Sequence, residues 1–359
     1  MNRMTGSENT STKIHEICKQ YLLHVHYSES FGRVHKVYTD KGVFALKSIQ
    51  VEQSMAFIRH VQRLYQRGYN RVAPIYLTND GRYGVLYADR LYYLMPWLMN
   101  DESGERNEKH KQMFRELANI HSLTVKEIPV DKEEREAHYE KTIDDWKKQQ
   151  AFIEEFVGQC EEKWYMSPFE LLFCSYYYDL SQAISFSIRK FEEWYEETKE
   201  VEKARTVIVH GKFSLQHFLF DDQGKGHFIN FENARASPQH FDLLPFFVKY
   251  CYTYPTRCDE CVEWLYQYYK FFPLRDDEML LFISYLAFPV NVLHTVETYH
   301  RNKYERKTEY QYVNQLQKYY WQLKNIEYLV MKVEEIEGQK KAAKEAAKVA
   351  AEAAKNNQQ

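Results

Sequence analysis

The chain has 359 residues, 44% hydrophobic and 28% charged, with 48 Lys+Arg against 51 Asp+Glu for a net charge of -3. That is enough apolar material for two or three compact units, and it excludes a chain disordered throughout. With no basic field, a general nucleic-acid binder is excluded as well.

Aromatic residues are abundant, with 30 Tyr and 22 Phe. The simplest account is Tyr-rich helices packed in a core. The six cysteines are too few and too scattered for a disulfide scaffold. Residues 1–13 carry no apolar stretch of the secretory type. The longest apolar run, Met279 to Leu293, is interrupted by Ser284, Pro289 and Asn291 and falls short of a membrane span. A soluble chain made in the cytoplasm, with no membrane insertion and no nucleic-acid partner, is the expectation.

In chain order, residues 1–12 are rich in Ser, Thr and Asn and read as a disordered start. Residues 13–98 read as a small β-rich unit. Val34–Tyr38 and Val43–Lys47 flank the turn Asp40-Lys41-Gly42, a hairpin pattern. A helix is expected from Glu52 to Gln66, with Met55, Ile58, Val61 and Leu64 on one face and Gly68 as its stop. Short strands follow around Ala73–Leu77, Tyr83–Ala88 and Leu91–Met95, with a turn at Asn79-Asp80-Gly81-Arg82. Asn100–Asn107 is a polar connector, and residues 99–337 read as mainly helical. Within them, Thr206–Val209 is strand-like, and Phe218–Phe220 and His227–Ile229 form a second hairpin around Asp221-Asp222-Gln223-Gly224. Residues 338–359, rich in Ala, Lys and Glu, form a helical or disordered tail with five lysines against two glutamates. That local +3 leaves the body at -6, so the tail can support self-association electrostatically.

The order of these elements resembles the bilobal protein-kinase-like fold, in its aminoglycoside/choline phosphotransferase branch. The likeness implies an α+β architecture with a small β-rich N-lobe and a mainly helical C-lobe. Phe31-Gly32-Arg33-Val34 resembles the nucleotide-covering hairpin, and Ala45-Leu46-Lys47 the strand lysine that holds ATP phosphates. Leu117-Ala118-Asn119-Ile120-His121 is similar to the Leu-Ala-x-x-His helix end. His210-Gly211-Lys212 through His217 resembles the His-Gly-Asp-x-x-x-x-Asn catalytic loop, and Ile229-Asn230-Phe231-Glu232 the Ile-Asp-Phe-Glu metal segment. Asp242-Leu243 matches the start of the next helix.

The departures carry the functional reading. Phosphoryl transfer needs a carboxylate to orient the acceptor and hard oxygen ligands for Mg²⁺. The base position holds Lys212, which has donors and no acceptor, the amide position holds His217, and the metal position holds Asn230. These three degenerate positions point to a pseudokinase with no catalytic residue and no metal site. Lys47 and Gly32 leave room for ATP held without Mg²⁺, and Glu52 is the only acidic candidate for pairing Lys47 from the next helix. His210, His121 and Asp242 read as structural, and Glu232, Asp221 and Asp222 as loop and turn chemistry. Cys258 and Cys261 pose a choice between a zinc ligand pair and two cysteines packed as small hydrophobes. With no second pair, the latter is favoured.

Within the branch, the degenerate loop is similar to the spore coat kinase-like, CotS-related family of Bacillus-type bacteria. That resemblance implies mother-cell synthesis, deposition in the spore coat, and other coat proteins as partners. An active kinase with a remodelled site and an ATP-binding module without chemistry stay open beside it.

Overall fold

The computed structural model describes residues 4–50, 56–99, 105–301 and 307–356. In chain order the elements are α1 (Met4–Lys19), β1 (Val25–Phe31), β2 (Val34–Thr39), β3 (Gly42–Gln50), α2 (Ala56–Gln66), β4 (Val85–Tyr87), β5 (Arg90–Pro96), α3 (Arg106–Thr124) and β6 (Lys126–Pro129). There follow α4 (Lys132–Glu161), α5 (Pro168–Thr198), β7 (Lys203–Val209), β8 (Phe218–Phe220), β9 (Gly226–Phe228) and β10 (Arg235–Ser237). The chain ends with α6 (His240–Tyr250), α7 (Asp259–Tyr269), α8 (Asp276–Ala287), α9 (Val290–Arg301) and α10 (Glu309–Asn356). They divide into two compact units, Met1–Lys126 with Thr206–Asp242, and Glu127–Arg205 with Leu243–Gln359.

The first unit is built on a five-stranded antiparallel sheet in the order β1-β2-β3-β5-β4. Val34 lies opposite Lys47, and Lys47 opposite Tyr93, so these three share one face. The other face carries Val37, Leu46, Tyr92 and Leu94 and is closed by Ile14, Ile17 and Cys18 of α1. Burial of those three side chains explains why the polar start of the chain, expected to be disordered, is helical from Met4. α2 buries Ile58, Val61 and Leu64, as the spacing predicts, and Phe57 besides, while the expected start from Glu52 through Met55 lies outside the described residues. It stops at Gly68, whose φ of +81° lets Tyr69 N–H return to the Leu64 carbonyl. The strand expected at 73–77 does not form. Pro74 interrupts it, and Ala73 N–H instead donates to the Phe228 carbonyl.

The boundary expected at residues 98 and 99 is not where the units part. Met99 and Phe220 exchange backbone hydrogen bonds, and Val72 bridges to Phe228, so the 206–242 segment belongs with the sheet. α3 joins the same unit and buries Met113, Phe114, Leu117 and Ile120, with Phe114 edge-on to Phe213 at 5.0 Å.

The second unit is helical. α4 is capped by Asp131, which accepts from Glu133 N–H at 2.9 Å, and α5 starts with a Ser167/Glu170 capping box ahead of Pro168 at its N1/N2 positions. Its core is aromatic, with Trp146 stacked on Phe288 at 4.4 Å and Phe169 on Tyr299 at 3.8 Å. The apolar run of 279–293 forms parts of α8 and α9, which break at Phe288-Pro289. By length and composition alone Asp276–Arg301 does reach what a membrane span needs, contrary to the sequence expectation, but 67% of its most apolar stretch is buried within the unit, as in core helices. The tail is helical to Asn356, as a continuation of α10.

Candidate functional site

The site lies within the first unit and is assembled by β3, β5 and the two loop segments after β7 and β9. Lys47 projects from β3 with a side chain only 12% exposed. Its ammonium forms an ion pair with Glu232 and donates to Asn230 Oδ1. The Tyr93 hydroxyl, on the neighbouring strand, donates to the same Glu232 carboxylate. Burial lowers the Lys47 ammonium below the usual lysine range, against the pull of Glu232, while Lys212 and Arg33 push the same way as burial. Burial works to raise the Glu232 carboxyl, but the charge and hydrogen bond of Lys47 and the Tyr93 hydroxyl outweigh it and hold it low. Tyr93 is pushed well up by burial and by Glu232, so it serves as a neutral donor.

Asn230 adopts a left-handed backbone, φ +67° and ψ 48°, at the entry to a single 3-10 turn over Phe231–Asn233. Asn and Asp tolerate that conformation better than other side chains. The turn aims the Asn230 amide and the Glu232 carboxylate at the same ammonium. Asn230 Oδ1 and Glu232 Oε1 both meet the Lys47 ammonium.

The loop after β7 is held by Asp242. Its carboxylate accepts from His210 N–H at 2.7 Å and Gly211 N–H at 2.8 Å, and it lies 3.3 Å from His121 Nε2. Gly211 is required there. Its φ is +77°, and a Cβ would sit 2.5 Å from the Asn233 carbonyl. His210 Nδ1 accepts from Lys212 N–H at 3.2 Å, which leaves Nε2–H to donate to the Ile229 carbonyl at 2.7 Å. That is the neutral imidazole, and burial accordingly lowers its basicity. Burial dominates at Asp242 too, in the raising direction, but His121, His210 and the N–H donors overcome it and keep the group ionised. The structural reading of His210, His121 and Asp242 thus corresponds to one fully buried network.

His217 turns back on its own loop, Nδ1 donating to the Lys212 carbonyl at 2.7 Å. Lys212 itself is exposed, and its ammonium forms no salt bridge among the described residues. Gly32 sits at the β1–β2 turn with φ +69°. Asp221 accepts from Gln223 N–H at 3.0 Å and Lys225 N–H at 2.8 Å, which is turn chemistry as read. Glu52 lies outside the described residues.

Two participants were missed by the sequence reading. Glu232, which the sequence analysis reads as loop chemistry, is the acid that meets Lys47. Its signal was its place two residues after Asn230, which a tight turn brings to the same side. Tyr93 carried no signal beyond alternation along its strand. Among the described residues no group of three or more His, Cys, Asp or Glu is placed to hold a metal ion.

The profile of the phosphotransferase enzyme family matches residues 30–269, which include every site position above. Among solved structures, the chain is similar to an aminoglycoside phosphotransferase from Alicyclobacillus acidocaldarius, with 16% identity, a TM-score of 0.66, and coverage of 90% of this chain and 96% of that one. It is also similar to a spectinomycin phosphotransferase solved with ADP and spectinomycin, at 11% identity and a TM-score of 0.51, over 88% of this chain and 98% of that one. At these identities the likeness shows the fold: mixed α+β, with a sheet in the N-terminal region and a mainly helical C-terminal part. No curated protein matches the sequence.

Proposed function

From the premise that the chain belongs to the phosphotransferase enzyme family, we propose that it is a member without phosphotransfer, a pseudokinase that acts through protein–protein contacts. One observation carries this reading. The ammonium of Lys47 is taken up by Asn230 and Glu232, the two residues of the metal segment. Mg²⁺ requires hard oxygen ligands in near-octahedral order. Asn230 offers a neutral carbonyl, Glu232 is shared between Lys47 and Tyr93, and Lys212 adds a cation where an acceptor base would stand. The residues present do not fit the ion, and no transfer step is derived through it.

The biological setting we propose rests on the resemblance of the loop His210-Gly211-Lys212 to His217 and of Asn230-Phe231-Glu232. The chain is a spore coat component or assembly factor of the CotS-related kind, with a likeness to the coat protein YsxE, made in the mother-cell cytoplasm and partnered by other coat proteins.

The test is a Mg-ATP turnover assay against sugars, choline and aminoglycosides. No turnover above a heat-killed control is expected, and clear turnover sinks the reading. A tagged chain recovered from sporulating cells should bring coat proteins with it, and recovery of none removes the coat assignment alone. Retention of Lys47 on the sheet face it shares with Val34 and Tyr93 favours a second reading, a nucleotide-binding module without chemistry. A thermal-shift series with ATP, with and without Mg²⁺, separates the two.

A further inference from the structure

Cys258 and Cys261 are joined by a disulfide at the start of α7. Neither the packed-thiol nor the zinc reading of this motif is what forms. Cys258 is the N-cap residue, Cys261 N–H donates to the Cys258 carbonyl at 3.1 Å, and both residues are buried, at 1% and 0% exposure. The other four cysteines are free, and burial pushes the nearby Cys251 thiol up to about 12, which leaves it unreactive.

The disulfide lies at a joint. The preceding loop, 251–257, is fastened to α10 by Asn325, whose amide donates to the carbonyls of Tyr252 at 2.7 Å and Tyr254 at 2.9 Å. The two residues between the cysteines are fastened as well. Tyr328 of α10 donates to Asp259, and the Tyr252 hydroxyl donates to Glu260 at 3.3 Å. A link across two intervening residues closes a very short loop, so it removes little entropy from the unfolded chain and adds little to overall stability. What it can do is local: fix the direction in which the loop enters α7. Cys258 stands at the N-cap of an 11-residue helix, where the helix dipole favours a thiolate.

We propose that Cys258 and Cys261 form a reversible thiol–disulfide site whose state sets how firmly the 251–257 loop is held to α10. Both sulfurs are buried, so reduction follows local opening of the 251–257 loop, after which a small-molecule thiol attacks Cys258 Sγ as its thiolate. The protein S–S bond breaks, a mixed disulfide forms at Cys258, and the electron pair leaves on Cys261. A second thiolate attacks the outer sulfur of the mixed disulfide and releases Cys258. The two protons given up by the attacking thiols end on Cys258 and Cys261, and the co-product is the small-molecule disulfide.

The full chain, purified in air without reductant, is denatured, alkylated and weighed. Four modified cysteines are expected, six after prior incubation of the folded protein with millimolar dithiothreitol, and four again after oxidised glutathione. Trypsin cleavage after Arg257 in the folded protein should be several-fold faster in the reduced form. The double variant Cys258→Ser/Cys261→Ser should show the fast rate in both conditions, and Cys251→Ala should leave the difference intact. Six modified cysteines at the outset overturn the proposal, as does a folded-state disulfide that resists dithiothreitol, or a cleavage rate indifferent to redox state. The wild-type measurements decide the matter even where the double variant fails to fold.

Discussion

Glu232 and Lys47 form a buried ion pair across 185 positions of sequence, with side chains 7% and 12% exposed, and the Tyr93 hydroxyl donates to the same carboxylate oxygen. Removing one member of such a pair strands the other in a low-dielectric setting. Glu232→Ala should therefore destabilise the protein by about 3 kcal/mol. Glu232→Gln, which keeps an acceptor for Lys47 and Tyr93, should cost less. Replacing both charged partners by apolar residues of similar size, Lys47→Met with Glu232→Leu, should recover most of the loss. Urea unfolding of the four proteins checks this, and equal midpoints for wild type and Glu232→Ala would show that the pair does not bear on stability.

Acid should weaken the fold through its buried histidines. His210 is held neutral by burial, with Asp242, His121, His217 and Glu232 around it, and its basicity is below the ordinary value of 6.5. Burial lowers His35, His60, His138 and His217 in the same direction. Above pH 6.5 the folded and unfolded chains are both neutral at these rings, and their contribution is fully present. As pH falls through 6.5 the unfolded chain binds protons first, so stability declines until the folded-state value is passed. Each ring can contribute a slope of at most about 1.4 kcal/mol per pH unit. Urea midpoints should drop between pH 7.5 and 5.5, and His210→Gln should flatten that drop by up to one proton's worth. A stability that rises on acidification would contradict the assignment of a neutral His210.

Much of the fold was legible because its sheet and helices advertise themselves by period. The Val34–Lys47 hairpin, the 56–66 helix and its Gly68 stop follow from residue types alone. What escaped depended on contacts distant in sequence. Polar residues 4–12 are helical only because Ile14, Ile17 and Cys18 anchor the same helix on the sheet. The 206–242 segment joins the sheet through backbone pairing at Met99 and Phe228, which no side-chain pattern announces. At the site, the changed positions Lys212, His217 and Asn230 can be read from motif spacing, whereas the pairing of Glu232 with Lys47 depends on a backbone turn that spacing alone does not announce. The acid comes from the metal segment, because the left-handed turn at Asn230 swings Glu232 onto β3.

If the changed positions are what remove Mg²⁺ binding and transfer, restoring them should bring the ion back. His217→Asn and Asn230→Asp supply the metal-side oxygens, Lys212→Asp restores the base carboxylate and removes a cation, and Asp accepts the left-handed backbone at 230 as readily as Asn. The wild type should gain less than about 1 kcal/mol from Mg-ATP over ATP alone, since Lys212 repels a divalent cation. The triple variant should gain more, in thermal-shift measurements at matched nucleotide concentration. A wild type that already responds strongly to Mg²⁺ would return the chain to the active kinases.

The tail is the last case, and the structure moves its effective boundary. Glu337 accepts from the Tyr266 hydroxyl at 2.8 Å, Lys340 lies over the rings of Tyr266 at 4.5 Å and Tyr269 at 4.4 Å, and Lys341 reaches Asp276 at 3.6 Å. α10 is thus docked to about residue 341, four residues beyond the change in composition. Truncation after Lys341 should leave the melting temperature unchanged within about 1 °C. Truncation after Glu337 removes two cation–π contacts of roughly 0.5–1 kcal/mol each at exposed sites, which should lower it by about 2–6 °C. Truncation after Glu337 should reduce self-association most, because it removes the whole net +3 that opposes a body of -6, whereas truncation after Lys341 removes three Lys against two Glu, a net +1, and should reduce it less. Added salt at roughly 0.5 M should mimic them, since it cuts the Debye length to a few ångströms. Calorimetry and sedimentation of the two truncations at low and high salt decide both halves. Equal melting temperatures for the two would deny the docking of Lys340. Salt-independent association of the intact chain would deny the electrostatic role of the tail.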